Sequence, residues 1–296
     1  MNRNAGNQTL YLLYLLIIFL LVATCTDKIP QSSSKAQFAH KYTYQLPEKV
    51  DDGWEISSLN KEGIDSEKIV LLMEAILNET YKNIHGVLII KNGKLVFEEY
   101  FHGYDCEKPH QIRSATKSIG SVLTGIAIDN GFILNVDEKI YPYFRSYEPE
   151  SKWNERSKNV KLKHLLTMTS GYECDDHKSN FKCEKEMYKS NDWVEFALTL
   201  PIVSQPGEHW AYNSASLWLV GEMISKTSSM KIPDFAKRYL FDPLGITDFQ
   251  WGFSPNGRAW LAGNAEMRPR DMAKFGYMVL NNGRWQDRQI VSKKMA

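Results

Sequence analysis

The apolar positions of this chain change period several times, and each change marks a different element. After Asp65-Ser66, the residues Ile69, Leu72, Met73 and Ile76 recur at helical spacing and predict a helix from Glu67 to about Tyr81. Two apolar runs follow, Gly86-Val87-Leu88-Ile89-Ile90 and Leu95-Val96-Phe97-Glu98-Glu99-Tyr100-Phe101, on either side of Lys91-Asn92-Gly93-Lys94. Asn-Gly supplies the positive φ values of a two-residue type I′ turn, so this stretch predicts a β-hairpin. From Ser114 to Asn130-Gly131 the chain carries Ile119, Val122, Leu123, Ile126, Ala127 and Ile128, apolar enough for a helix buried on most sides. The segment from Leu134 to about Lys161 is polar and turn-rich. Further helices are expected at Leu162 to Met168, Asn191 to about Leu200, Leu217 to Ile224, Ile232 to Leu240 and Arg270 to Leu280. Phe241-Asp242-Pro243-Leu244-Gly245-Ile246 is expected to break the fourth of these, and Asn281-Asn282-Gly283 to end the last. There are no internal repeats.

A lone hairpin is marginal in water and needs further strands or a covering helix. Nothing after Arg284-Trp285-Gln286-Asp287-Arg288-Gln289-Ile290-Val291 supplies those strands, and the chain stops at Ala296 where Ser292-Lys293-Lys294-Met295 is able to begin a helix. The layout therefore reads as an α+β domain whose C-terminal sheet strands are missing.

Ahead of the domain, Arg3 precedes an apolar stretch from Leu10 to Ala23, shorter than the roughly 20 residues of a membrane-spanning helix and fitted to a signal-peptide core over residues 1–24. Val22-Ala23-Thr24-Cys25 is similar to a bacterial lipobox, which makes Cys25 the candidate lipidation site, although Thr24 departs from the usual Gly, Ala or Ser. Plain cleavage and an uncleaved anchor are the alternatives. In each case the chain is exported to a cell envelope, with the membrane as partner through leader or lipid. Residues 25–45, with Pro30 and Ser32-Ser33-Ser34, read as a polar tether, and residues 46–296 as the domain. Losing Arg3 with the leader takes the formal charge from +1 to about 0, and no Lys/Arg stripe stands out, which argues against a nucleic-acid partner. Of the four cysteines, Cys174 and Cys183 are close enough in sequence to close a loop and form the candidate disulfide, with Cys106 left over. The histidines are scattered, with no His-Glu-x-x-His and no paired Cys-x-x-Cys, so neither a metal nor another cofactor is expected.

Chemistry enters with Arg113-Ser114-Ala115-Thr116-Lys117-Ser118. On a helix, positions i and i+3 share a face, so the Lys117 ammonium can lie beside the Ser114 hydroxyl. A serine hydroxyl is a poor nucleophile until a neighbour takes its proton, which is the chemistry this spacing serves. Ser-x-x-Lys occurs five times, starting at Ser32, Ser58, Ser114, Ser179 and Ser228. Only Ser114 opens a buried helix; the others fall in a linker, in polar turns or at a helix end. The bland reading of Ser114 is a helix-capping hydroxyl.

Further motifs stand in a particular order: His164-Leu165-Leu166-Thr167-Met168-Thr169-Ser170-Gly171, then Cys174-Asp175-Asp176, then Pro206-Gly207 with Tyr212-Asn213-Ser214, then Pro243-Leu244-Gly245-Ile246-Thr247, and Arg268-Pro269-Arg270-Asp271-Met272-Ala273-Lys274-Phe275-Gly276. Together with the Ser114 motif they make roughly Tyr81 to Val291 resemble the serine beta-lactamase and penicillin-binding protein superfamily, in particular the class C beta-lactamase-like esterases and 6-aminohexanoate-dimer hydrolases. The resemblance implies a beta-lactamase/transpeptidase-like fold, an antiparallel sheet with flanking helices plus an all-α lobe. It implies Ser114 as nucleophile forming an acyl-enzyme, Lys117 holding or accepting its proton, and Tyr212 as partner base and then acid to the leaving group. The Ser114 backbone N–H would supply half of an oxyanion hole. Without the resemblance, Tyr212 reads equally as a buried aromatic hydrogen-bonded through its hydroxyl.

The family's second motif is often Tyr-x-Asn; here Ser214 holds the third position and Asn213 is displaced by one, so both are candidate substrate-binding residues. The third motif, Lys-Thr-Gly or His-x-Gly on a C-terminal strand, would lie beyond Ala296. The chain by itself is accordingly expected to be inactive and poorly folded, with an exposed sheet edge. The expected function is hydrolysis of an ester, amide or lactam in a small-molecule or peptide-like acyl substrate. The alternatives are a D-Ala-D-Ala carboxypeptidase-like cell-wall enzyme and a non-catalytic envelope binding protein.

Overall fold

A computed structural model of the chain describes residues 41–147, 153–178 and 182–296. The expected leader, the Cys25 site and most of the expected tether lie outside these. No helix among the described residues is long and apolar enough to cross a membrane.

The front of the domain is a small sheet. Strands β2 (Gly86–Lys91) and β3 (Lys94–Tyr100) pair antiparallel through the expected turn, where Asn92 and Gly93 have φ of 52° and 76°. Strand β1 (Glu55–Ile56) pairs with β3 in parallel, giving the order β1-β3-β2. The sheet is thus mixed, where the sequence reading expected an antiparallel one. Its cause is the connection: helix α1 (Ser66–Leu77) returns the chain so that β2 opposes β1, and the tight turn then reverses β3 back to the direction of β1. Asp65 caps α1 by accepting a bond from the Glu67 N–H, and Met73 and Ile76 pack with Leu59, Val96 and Phe97 in a second, smaller core. Tyr42 and Tyr44 also pack there, and the Tyr44 hydroxyl donates to the Val96 carbonyl at 2.9 Å. The packed body therefore reaches back past the boundary at 46, because two aromatic rings give residues 42–44 apolar surface to bury.

Behind the sheet lies the main core, built around α2 (Thr116–Asp129), which packs on the later helix Ser216–Ser228. Close approach needs small residues on α2: a Cβ at Gly125 would stand 2.9 Å from the Met295 side chain and 3.1 Å from Val291. Short helices α3 (Tyr141–Phe144) and α4 (Glu155–Lys158) punctuate the turn-rich stretch, followed by α5 (Leu162–Leu166). Helix α6 (Lys182–Lys189) was not legible in the sequence, since only Cys183 and Met187, one turn apart, are buried and the rest is polar. Helices α7 (Trp193–Thr199) and α8 (Ser216–Ser228) follow. Next, α9 (Ile232–Ala236) runs through a π turn at Lys237–Phe241 into α10 (Asp242–Leu244) and stops at Gly245, φ 65°. The expected break at Phe241 does not occur: the π turn, in which the Asp242 N–H bonds to the Lys237 carbonyl, widens the ladder just ahead of Pro243, and the chain stays helical through Leu244.

A second sheet, β4 (His110–Gln111), β5 (Phe249–Gln250) and β6 (Glu266–Met267), has the order β4-β6-β5 and brings the approach to Ser114 beside the 260s segment. Helix α11 (Pro269–Leu280) packs on β2, and the hairpin β7 (Arg284–Trp285) and β8 (Arg288–Gln289) ends the fold. Among the described residues β2 is an edge strand, flanked by a groove of about 780 Å³ that Leu88, Ile90, Met267, Met272 and Tyr277 help to line.

Arg270 ties α11 to the sheet. Its guanidinium donates to both Glu98 oxygens (2.7 Å for Nε), to Asp52 at 3.0 Å and to the Glu48 carbonyl at 2.9 Å. Arg270 and Glu98 side chains are each 7% exposed, so removing one charge strands the other in a low dielectric. Arg270→Met is expected to destabilise the fold by about 3–5 kcal/mol, read as a lower urea midpoint, with partial recovery on adding Glu98→Gln.

Candidate active site

The approach to Ser114 is fixed before the helix begins. The Ile112 N–H donates to the Ala265 carbonyl at 2.9 Å, extending the β4–β6 pairing, and Arg113 then takes φ +48°. A positive φ at a non-glycine residue costs of order 1–3 kcal/mol and persists only where its surroundings impose it. Here the Thr116 hydroxyl donates to the Arg113 carbonyl at 2.6 Å, closing a 3₁₀ turn over Arg113–Ala115 that leads into α2. The kink leaves Ser114 exposed at the apex while Thr116 beneath it is fully buried.

Lys117, one turn on, reaches back as the spacing predicts. Its Nζ donates to Ser114 Oγ at 3.2 Å and to the Ala262 carbonyl at 2.5 Å. The second bond holds the ammonium against the 260s segment and was not legible in the sequence, since a backbone carbonyl leaves no residue signature. Tyr212 arrives from a distant part of the chain, and its Oη shares a 2.6 Å hydrogen bond with Ser114 Oγ. The Lys117 Nζ lies 5.0 Å from the Tyr212 ring centroid, a cation over an aromatic face. Two side chains, one from the Ser114 segment and one 98 residues from that serine, thus converge on its hydroxyl oxygen.

The segment carrying Tyr212 is pinned on both sides. The Ala211 N–H donates to the Met168 carbonyl at 3.0 Å, and the Tyr212 carbonyl accepts from the Asp176 N–H at 2.8 Å. The His177 ring lies 4.5 Å from the Tyr212 ring, centroid to centroid, and Trp210, 60% exposed, lies 6.4 Å from it on the chain. Ser214 is buried and uses its N–H to donate to Asp176 Oδ2 at 3.0 Å. Asn213 has a structural role that the sequence reading did not name. It is 1% exposed, its side-chain oxygen accepts the Ser216 N–H at 3.0 Å, and it helps to line a pocket beside Met168, Ser170 and Trp210. The helix start after Ala215 leaves N–H groups without intrahelical partners, and the Asn213 amide oxygen serves one of them.

Cys174 and Cys183 are joined in a disulfide that closes the 173–183 loop onto α6. These two residues and Asp176 form the one Cys/Asp cluster with metal-like spacing among the described residues, and both sulfurs are committed to the disulfide. Cys106 stands apart; burial and then the nearby Glu98 push its thiol pKa up, away from the reactive thiolate.

The chain is similar to several known proteins. A lovastatin esterase of Penicillium rubens is 29% identical over 130 residues, 42% of this chain and 32% of that protein. A monacolin J acid methylbutanoyltransferase of Aspergillus terreus is 22% identical over 157 residues, 48% of this chain and 38% of that protein. The chain thus matches only about a third of the length of these curated relatives. Among solved structures, a protein assigned as a 6-aminohexanoate-dimer hydrolase from Bacillus anthracis superposes with a TM-score of 0.62 at 18% identity, covering 71% of this chain and 57% of the other. That likeness shows the beta-lactamase/transpeptidase-like fold. Residues 77–295 match the family model described as Beta-lactamase, and with well over half of its length inside that match this chain belongs to the Beta-lactamase family.

Proposed function

We propose that the full-length protein is a serine hydrolase working through a Ser114 acyl-enzyme. The observation that carries this reading is the convergence of Tyr212 Oη at 2.6 Å and Lys117 Nζ at 3.2 Å on Ser114 Oγ. Tyr212, the nearer group, takes the serine proton as Oγ attacks the acyl carbon. The Lys117 ammonium holds the developing tyrosinate and orients the serine lone pair. The Ser114 N–H, at the turn before α2, faces the oxygen that gains charge. Tyr212 then returns the proton to the leaving group, and water drawn along the same path releases the acyl group and regenerates Oγ–H.

An ester, a small amide or a lactam all satisfy this chemistry. The relatives named as an esterase and an acyltransferase support an acyl-enzyme that an alcohol as well as water can discharge. Export to a cell envelope, with a leader or a Cys25 lipid as membrane anchor, remains part of the proposal.

Incubation of the full-length protein with a fluorophosphonate is expected to add one adduct per chain, mapped by peptide mass spectrometry to Ser114. An adduct confined to any other serine, or none at all in folded protein, would overturn the reading.

A further inference from the structure

We infer that Asp176 is a positioning residue for Tyr212, acting through the two peptide units that follow it; this rests on the assignment of Tyr212 as proton carrier. Asp176 is fully buried. Its N–H donates to the Tyr212 carbonyl at 2.8 Å and its carboxyl Oδ2 accepts the Ser214 N–H at 3.0 Å. One residue therefore clamps the peptide units before and after Asn213, which leaves Tyr212 few ways to shift or rotate its Cα–Cβ vector. The next residue, His177, lays its ring 4.5 Å from the Tyr212 ring, so the same loop limits the tyrosine from the side.

The loop is itself anchored at several points. Tyr172 bridges to Ile202, the Glu173 N–H donates to the Pro201 carbonyl at 2.7 Å, and Cys174 is tied to Cys183 on α6. A carboxyl held this firmly is suited to transmit a fixed position. The hydrogen bond it protects is short, 2.6 Å between Tyr212 Oη and Ser114 Oγ. A misplacement of the order of 1 Å at a reacting pair can cost about a hundredfold in rate.

A fluorophosphonate separates positioning from mere structural support, because the labelling amplitude reads the folded fraction and the rate constant reads the geometry at Ser114. In the full-length protein, Asp176→Ala is expected to lower the rate constant about 10- to 100-fold. Asp176→Asn keeps an oxygen for the Ser214 N–H and is expected to stay within about threefold of wild type. In a Tyr212→Phe background Asp176→Ala is expected to slow labelling no further, since the group it positions is gone. A wild-type rate constant for Asp176→Ala beside a slow Tyr212→Phe would overturn the inference, as would an equal loss in both backgrounds. Wild-type labelling by Tyr212→Phe itself would instead remove the proton-carrier assignment and this inference with it. Should Asp176→Ala give no amplitude, Asp176→Ser replaces it in the same comparison and its rate constant decides.

Discussion

Ser114→Ala in the full-length protein is expected to abolish fluorophosphonate labelling and to lower ester turnover by about 10⁴-fold or more. The size follows from what is deleted. Oγ is the atom proposed to form the acyl bond, and neither Tyr212 nor Lys117 is placed to attack in its stead, since both point at that oxygen. The fold should not notice the change. Ser114 is exposed, and its hydroxyl is bonded only to the two catalytic partners, so the melting temperature is expected to stay within about 2 °C. Ser214 provides an internal check, because it is buried and its N–H is already bonded to Asp176. Labelling retained by Ser114→Ala at the wild-type rate would end the assignment of the nucleophile.

How much of this was legible in the sequence depends on the kind of signal each part leaves. Periodicity found α1, the β2–β3 hairpin and the two long buried helices, because each has an apolar face that repeats over several turns or strand residues. It missed α6, where two buried residues in a polar segment make too short a stripe, and it ended the helical run from α9 to α10 at Leu240 instead of Leu244, because a proline reads as a stop when no π turn is foreseen. The parallel pairing of β1 was invisible, since a two-residue strand has no period. At the site, Ser114 and Lys117 were within reach through local spacing alone. Tyr212 needed the family resemblance, being 98 residues away from the serine it touches. The local role of Asn213 was not foreseen: three residues before the helix start at Ser216, its amide oxygen serves an N–H that has no intrahelical partner. Asp176 was visible within its motif, yet only the structure shows that its partners are the two peptide units that follow the tyrosine.

Lys117→Met carries the second large effect, a loss of about 10³-fold in turnover. Methionine keeps nearly the length of the side chain and removes the ammonium, so the change tests charge and hydrogen bonding rather than packing. Two bonds disappear, the 3.2 Å contact to Ser114 Oγ and the 2.5 Å contact to the Ala262 carbonyl. Loss of the second costs about 1 kcal/mol of stability at most, far too little to unfold the chain. The rate loss comes from the first, and from removing the cation that sits 5.0 Å from the Tyr212 ring centroid, close to the charge the proposed proton transfer would develop. Lys117→Arg sharpens the test. Arginine keeps the charge, but its planar fork replaces a point donor that must meet Oγ and the Ala262 carbonyl at once, so it is expected to recover no more than about a tenth of the lost activity. An Arg variant near wild type would show that a diffuse positive field suffices, and a Met variant near wild type would remove Lys117 from the mechanism. Because Tyr212 lies nearer to Ser114 Oγ than Lys117 does, 2.6 Å against 3.2 Å, Tyr212→Phe and Lys117→Met are expected to be strongly non-additive, the double variant losing little more than the worse single one.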